Sequence, residues 1–229
     1  IFSFFFGLLS SRIVGIMPIG YAVKEGSVVT IKKEPKCVTK KIVLCISGMA
    51  GTGKSTLSKK IAQNYNLKCY SGGDALKELA KEAGYTISDQ GWWESPVGLS
   101  FLKIRVNDPK FDREVDNKLL SYAQQGNVLL DSWTMPWLLK DGFKIWLMAS
   151  MDKRAARVAE RDQISILEAY KVLEEKEAQT KAIYKKLYGF NLGEDYSPFN
   201  FVLDTDNLNA DEVFSVLCRV IDNVFFANL

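Results

Sequence analysis

The sequence predicts an α/β domain in which a parallel sheet carries helices on both faces. Two observations carry that expectation. From Lys41 onward, short apolar runs alternate with amphipathic helical stretches, the rhythm of strand–helix–strand crossovers. The first of these runs, "KIVLCIS" (41–47), leads directly into "GMAGTGKST" (48–56), a glycine-rich loop that belongs between a strand and a helix.

The elements follow in order. "KIVLCIS" reads as a buried strand, and "KSTLSKKIAQNY" (54–65) as a helix with Leu57, Ile61 and Tyr65 on one face. "LKCY" (67–70) is a short second strand. "SGGDALKELAKEAG" (71–84) offers a turn, a cap near Asp74 and a helix closed by Gly84. Gly and Pro break the rhythm over 85–110, which reads as a mobile insert, and "FDREVDNKLLSYAQQG" (111–126) resumes as a helix. Three further strands are expected at 127–131, 143–149 and 199–205, each rich in branched or aromatic residues. A long charged helical region spans 151–188. The last helix, 209–226, carries an apolar stripe of Val213, Leu217, Val220, Ile221 and Val224.

Composition narrows the chemistry. With 229 residues, 47% of them hydrophobic and a net charge of +3, the chain has the profile of one soluble globular domain. Basic and acidic residues are mixed, so no stable nucleic-acid partner is expected. There is no histidine, which excludes His triads, His metal sites and a His general base. The four cysteines, Cys37, Cys45, Cys69 and Cys218, lack C-x-x-C spacing and read as reduced, structural thiols. The Phe-rich start stops at Ser10, short of a membrane span of about 18 residues. It reads as a disordered leader or an over-extended start, against a weak membrane-surface anchor. The expected organisation is an N-terminal extension at 1–38 and one domain at 39–229.

"GMAGTGKST" satisfies G-x-x-x-x-G-K-[ST], with Gly48, Gly53, Lys54 and Ser55 at the fixed positions. Glycines let the main chain curl so that its amides point at phosphate oxygens, and the following helix aims its positive end at the same place. Gly48, Ala50, Gly51, Thr52, Gly53, Lys54, Ser55 and Thr56 are therefore expected to hold ATP. Lys54 would reach the β- and γ-phosphates, and the Ser55 hydroxyl Mg²⁺. Asp131, ending "NVLLD", fits a second metal contact, or else serves the turn after its strand.

The loop, together with "YSGGDALKELAKEAG", "DPKFDREVD", "QGNVLLDSW", "FKIWLMASMDKRAARVAERD" and "KAIYKKLYGF", resembles the archaeal-type cytidylate kinases in the same order over about residues 41–226. The resemblance implies a P-loop kinase fold with five parallel strands, an insert for the nucleoside monophosphate (about 74–125) and a helical lid (about 154–188). It also implies ATP-dependent phosphorylation of CMP or dCMP. The protein is expected in the cytoplasm, away from membranes, as a monomer or weak homo-oligomer. It sets Asp74, Asp112, Arg113 and Asp116 around the monophosphate, although Asp112 and Arg113 equally suit the solvated first turn of a helix.

Arg154, Arg157 and Arg161, at i, i+3 and i+7, share a helical face and are the expected catalytic cations, with Lys176, Lys181 and Lys185 as further candidates. Two departures from the family stand out. Asp131-Ser132-Trp133 replaces a carboxylate-Gly-Arg ending, and Ala182-Ile183 replaces paired arginines before Tyr184. Trp133 trades a charged fork for an aromatic plate suited to a base, and Arg105 offers a replacement phosphate anchor. Trp92 and Trp93 read as insert packing ahead of a stacking wall. These departures keep two alternatives open: a kinase for another nucleotide or small metabolite, and a non-catalytic ATP-binding switch or assembly factor.

Overall fold

The computed structural model describes residues 22–24, 27–29, 41–88 and 91–227. The chain divides into two compact units, Ile1–Lys36 and Cys37–Leu229. In the first, β1 (Ala22–Lys24) and β2 (Ser27–Val29) pair antiparallel. Residues 1–21, and with them the Phe-rich start, lie outside the described residues, as does Cys37.

The second unit is built on five strands: β3 (Val43–Gly48), β4 (Lys68–Ser71), β5 (Val128–Asp131), β6 (Phe143–Met148) and β7 (Phe201–Asp204). All pair in parallel, in the order β4-β5-β3-β6-β7. The chain leaves β3 for β4 on one side and later returns to β6 on the other, so the crossover direction reverses at β3. Ligands in such sheets bind beyond the carboxyl ends of the strands at that switch point. Gly48, Ser71 and Asp131 end their strands there, and the register sets Asp131 opposite both Ile46 and Ser71.

Side chains along β3 alternate between two cores, as strand geometry requires. Leu44 and Ile46 join Leu57 and Ile61 of α1 (Lys54–Tyr65) and Val213, Leu217 and Ile221 of α8 (Ala210–Phe226). Cys45 faces the opposite core, with Leu76 of α2 (Gly72–Glu82), Val115 and Leu119 of α4 (Lys110–Gln125) and Met135 of the short helix α5 (Met135–Leu138). The α8 stripe runs through Val213, Leu217 and Ile221 as expected, but Val224 is 49% exposed and Phe226 closes the core instead.

Three further expectations are corrected. Ser71, not Asp74, caps α2: its hydroxyl accepts the Asp74 amide at 3.1 Å, and Asp74 sits in the first turn. The segment read as a mobile insert, for which no helix was expected, contains a 3-10 turn at Trp92–Glu94 and a full helix, α3 (Pro96–Asn107). Pro96 starts that helix, because its fixed φ suits the first helical position, and the Ser95 side chain caps it through the Gly98 amide at 3.1 Å. The charged region 151–188 is two helices, α6 (Met151–Asp162) and α7 (Ile166–Tyr188). Gln163 turns left-handed at φ 56°, and Ser165 caps α7.

Candidate active site

A cleft of about 560 Å³ opens at the carboxyl ends of β3, β4 and β5, within the range of small-molecule sites. Ala50, Gly51, Gly53, Lys54, Ser55 and Thr56 line it. Gly53 (φ +84°) precedes α1, and Gly51 (φ +81°) packs so closely that a Cβ there would stand 2.8 Å from the Arg154 carbonyl oxygen. Both positions demand glycine's freedom. Thr52 points away, donating its hydroxyl to the Met49 carbonyl at 2.9 Å, so its contribution to the loop is structural.

Lys54 is half-buried in the cleft. Burial pulls its ammonium below the ordinary lysine pKa, with Asp131 and Glu94 opposing. Asp131 is buried, and burial raises its carboxyl while Lys54 and the Ser55 hydroxyl work to keep it charged. Ser55 and Asp131 thus pair hard oxygen donors beside the loop. That set fits Mg²⁺, which takes one or two protein oxygens and fills its octahedron with phosphate oxygens and water.

The arginines divide by partner. Arg154 is buried and lies outside the cleft lining: it donates to the Ala149 and Ala50 carbonyls, both at 3.1 Å, and pairs with Glu177. It braces the phosphate loop from behind. Arg157 lines the cleft while donating to the Thr205 carbonyl at 3.1 Å, and Arg161 lines it with Glu94 at 3.1 Å and Asp162 at 2.6 Å as partners. Lys176 also lines the cleft and meets Glu94 at 2.5 Å. Lys181 pairs with Glu194 on the surface at 3.1 Å, and Lys185 donates to the Gly189 carbonyl at the end of α7.

From α2, α3 and α4, Asp74, Arg105, Asp112 and Asp116 line the same cleft. Arg113 is exposed on α4 and does not. Arg105 and Asp112 form a buried bidentate pair; burial opposes the Arg105 charge, and Asp112 more than offsets it. An arginine so engaged is a poor phosphate anchor but holds the Asp112 carboxylate fixed. Asp116 accepts from the Thr134 hydroxyl and the Tyr188 phenol, both at 2.5 Å, and burial still lifts its carboxyl to about 6.

Trp133 faces the cleft, yet its indole N–H donates to the Gly48 carbonyl at 2.5 Å and its ring lies 5.2 Å from the Lys54 ammonium. Ile183, 1% exposed, packs with Trp146, Tyr184 and Phe190, so of the second departure Ile183 is a core position while Ala182 is exposed. Trp92 is buried and Trp93 lines the cleft. Sequence reading passed over Glu94, Thr134 and Tyr184. The i, i+8 spacing sets Tyr184 near the α7 face of the candidate Lys176, a signal that could have exposed Tyr184.

Residues 43–207 match the cytidylate kinase-like family. The chain is 35% identical over 185 residues to a cytidylate kinase of Pyrococcus horikoshii, covering 80% of this chain and 90% of the relative. It is 34% identical over 188 residues to one of Methanocaldococcus jannaschii, covering 80% and 99%. Among solved structures, an uncharacterized protein from Eubacterium ventriosum superposes with a TM-score of 0.58 at 17% identity, over 80% of this chain and 99% of that one. A shikimate kinase from Bacteroides thetaiotaomicron gives 0.50 at 15% identity, over 81% and 99%. At such low identity these two show the fold alone, that of the P-loop kinases.

Proposed function

The chain belongs to the cytidylate kinase-like family, and from that premise we propose that it moves the γ-phosphoryl group of ATP onto CMP or dCMP. One observation carries this reading: a single cleft is lined both by Lys54 and Ser55 of the phosphate loop and by Asp112 and Asp116 of the insert. Donor and acceptor ends share one cleft.

In this reading the amides of Ala50–Ser55 and the Lys54 ammonium hold the triphosphate, and Arg157, Arg161 and Lys176 meet the charge that spreads over the transferring group. Ser55 and Asp131 would hold Mg²⁺, which when bound would supply positive charge against that of the phosphates. Asp116 and Asp112 accept from the acceptor's amino and hydroxyl groups, and Arg105 keeps Asp112 aimed. The acceptor phosphate is itself the nucleophile, so the absence of histidine costs nothing. Closure of the insert (about 74–125) and lid (about 154–188) excludes water and suppresses idle hydrolysis. We assign the reaction to the cytoplasm, on free nucleotides, by a monomer or weak homo-oligomer.

The test is ADP release in a coupled assay with CMP, dCMP, UMP, AMP and GMP, and with no acceptor. Fast release with CMP or dCMP is expected. Preference for another acceptor would redirect the reading, and slow turnover indifferent to acceptor would replace it with an ATP-binding switch.

A further inference from the structure

Glu94 ends the 3-10 turn Trp92–Glu94, where no catalytic motif marks it, yet its side chain is only 7% exposed. Its two carboxylate oxygens go to two different lid helices. One accepts from Lys176 of α7 at 2.5 Å, the other from Arg161 of α6 at 3.1 Å. The Lys176 side chain is equally buried, at 8% exposed, and its ammonium lies 5.8 Å from the Trp93 ring centroid, so both groups flanking it come from the insert.

The turn that presents Glu94 is rigidly built. The Trp92 indole donates to the Thr86 carbonyl at 2.8 Å, the Ser95 hydroxyl to the Trp92 carbonyl at 2.6 Å, and the Glu94 amide to the Gly91 carbonyl at 3.0 Å. Gly91, at φ +64°, abuts the Asp162 carboxylate, where a Cβ would come within 3.3 Å. Asp162 in turn takes Arg161 Nε at 2.7 Å and, at 2.6 Å, the same terminal guanidinium nitrogen that meets Glu94. Arg161 is therefore clamped between a lid carboxylate and an insert carboxylate.

Long cationic side chains lose substantial rotamer entropy when held, and unheld they sample many positions. A fixed carboxylate that orders two of them against one cleft removes that cost before the reaction begins. Resting on the kinase reading of this cleft, we infer that Glu94 is a positioning residue: it aims Arg161 and Lys176 at the transferring phosphoryl group and joins insert closure to lid closure, so that the lid cations are ordered only when the acceptor-binding insert is docked.

The opposite role is conceivable for a carboxylate among cations, namely a counter-charge that phosphates must expel, and the two roles differ in sign. Glu94→Gln keeps the size and removes the charge. Positioning requires kcat with ATP and CMP to fall by on the order of 100-fold, the penalty for misplaced reacting groups, while the KM for CMP changes little. Glu94→Asp should restore part of the loss, and Lys176→Met added to Glu94→Gln should cost little more than either change alone. Hydrogen exchange in Glu94→Gln should quicken in both Trp92–Asn107 and Met151–Tyr188. Unchanged or raised kcat, tighter ATP binding, multiplying effects in the double variant, or exchange that quickens in the insert alone would overturn the inference. Wild-type protein that phosphorylates no monophosphate would sink the kinase reading, and the exchange pattern would still decide whether Glu94 joins the two elements.

Discussion

The indole N–H of Trp133 donates to the main-chain carbonyl of Gly48 at 2.5 Å, tying the second residue after β5 to the first residue of the phosphate loop. The same ring lies 5.2 Å from the Lys54 ammonium and edge-on to Tyr184. Where an arginine was expected to hold the acceptor, the tryptophan organises the donor loop.

This arrangement fixes the outcome of restoring the arginine. Trp133→Arg sets a second cation beside Lys54 and removes the anchor on Gly48, so turnover with CMP should fall, and the KM for ATP should rise. Trp133→Phe keeps an aromatic face but trims the indole and removes its hydrogen bond, the latter worth about 1 kcal/mol. Steady-state kinetics of both variants check the claim: a gain of CMP turnover in Trp133→Arg would show that the acceptor phosphate still uses this position.

Gly51 supplies a second test. Its left-handed φ and the 2.8 Å approach to the Arg154 carbonyl leave no room for a methyl group. Gly51→Ala should move the loop off its phosphate-binding curl and weaken ATP binding by at least tenfold, about 1.4 kcal/mol. Calorimetric titration with ATP reads the loss directly. Lys54→Ala in the same titration should bind more weakly still and transfer no phosphate.

Arg154 was expected to face the phosphates and instead braces the loop through Ala50 and pairs with Glu177, whose side chain is 11% exposed. Truncation to Met leaves Glu177 buried and unpaired, a change that costs about 3–5 kcal/mol. Adding Glu177→Gln should return part of that stability by removing the stranded charge. Urea unfolding midpoints of the single and double variants decide it; equal midpoints would mean that the pair carries no net coupling.

The sheet, the phosphate loop and the order of segments were legible because each rests on local chemistry: apolar runs, glycine spacing, caps. Helix α3 was missed because Pro96 reads as a breaker unless Ser95 is recognised as the cap before it. The site was harder for a different reason. Arg154, Arg157 and Arg161 share a helical face, yet only tertiary partners decide their fates: Glu177 takes the first, Thr205 and Glu94 engage the others. Glu94 was invisible, since a lone acidic residue in a Gly- and Pro-broken stretch carries no pattern. Trp133 was singled out as a departure, but its hydrogen bond to Gly48 spans 85 residues and no spacing encodes it.

Asp116 makes the stability of the fold depend on pH in a direction opposite to most carboxylates. Burial raises its carboxyl from the ordinary 3.8 to about 6, even though Thr134 and Tyr188 donate to it. Between those values the folded protein holds a proton that the unfolded chain has released. Stability contributed by this group is therefore lost as pH rises from about 4 to about 6, by at most about 3 kcal/mol. Asp116→Asn cannot titrate, and its amide nitrogen cannot accept from one of the two hydroxyls, so the variant carries a penalty that does not vary with pH. Other groups, such as Glu94, whose carboxyl Lys176, Arg161 and Lys54 hold low against the upward push of burial, titrate alike in both proteins and cancel in the comparison. The stability difference, wild type minus Asp116→Asn, should shrink as pH is raised from 4 to 7. Urea midpoints at four pH values across that window measure it, and a difference that stays level would mean that Asp116 ionises at its ordinary pKa.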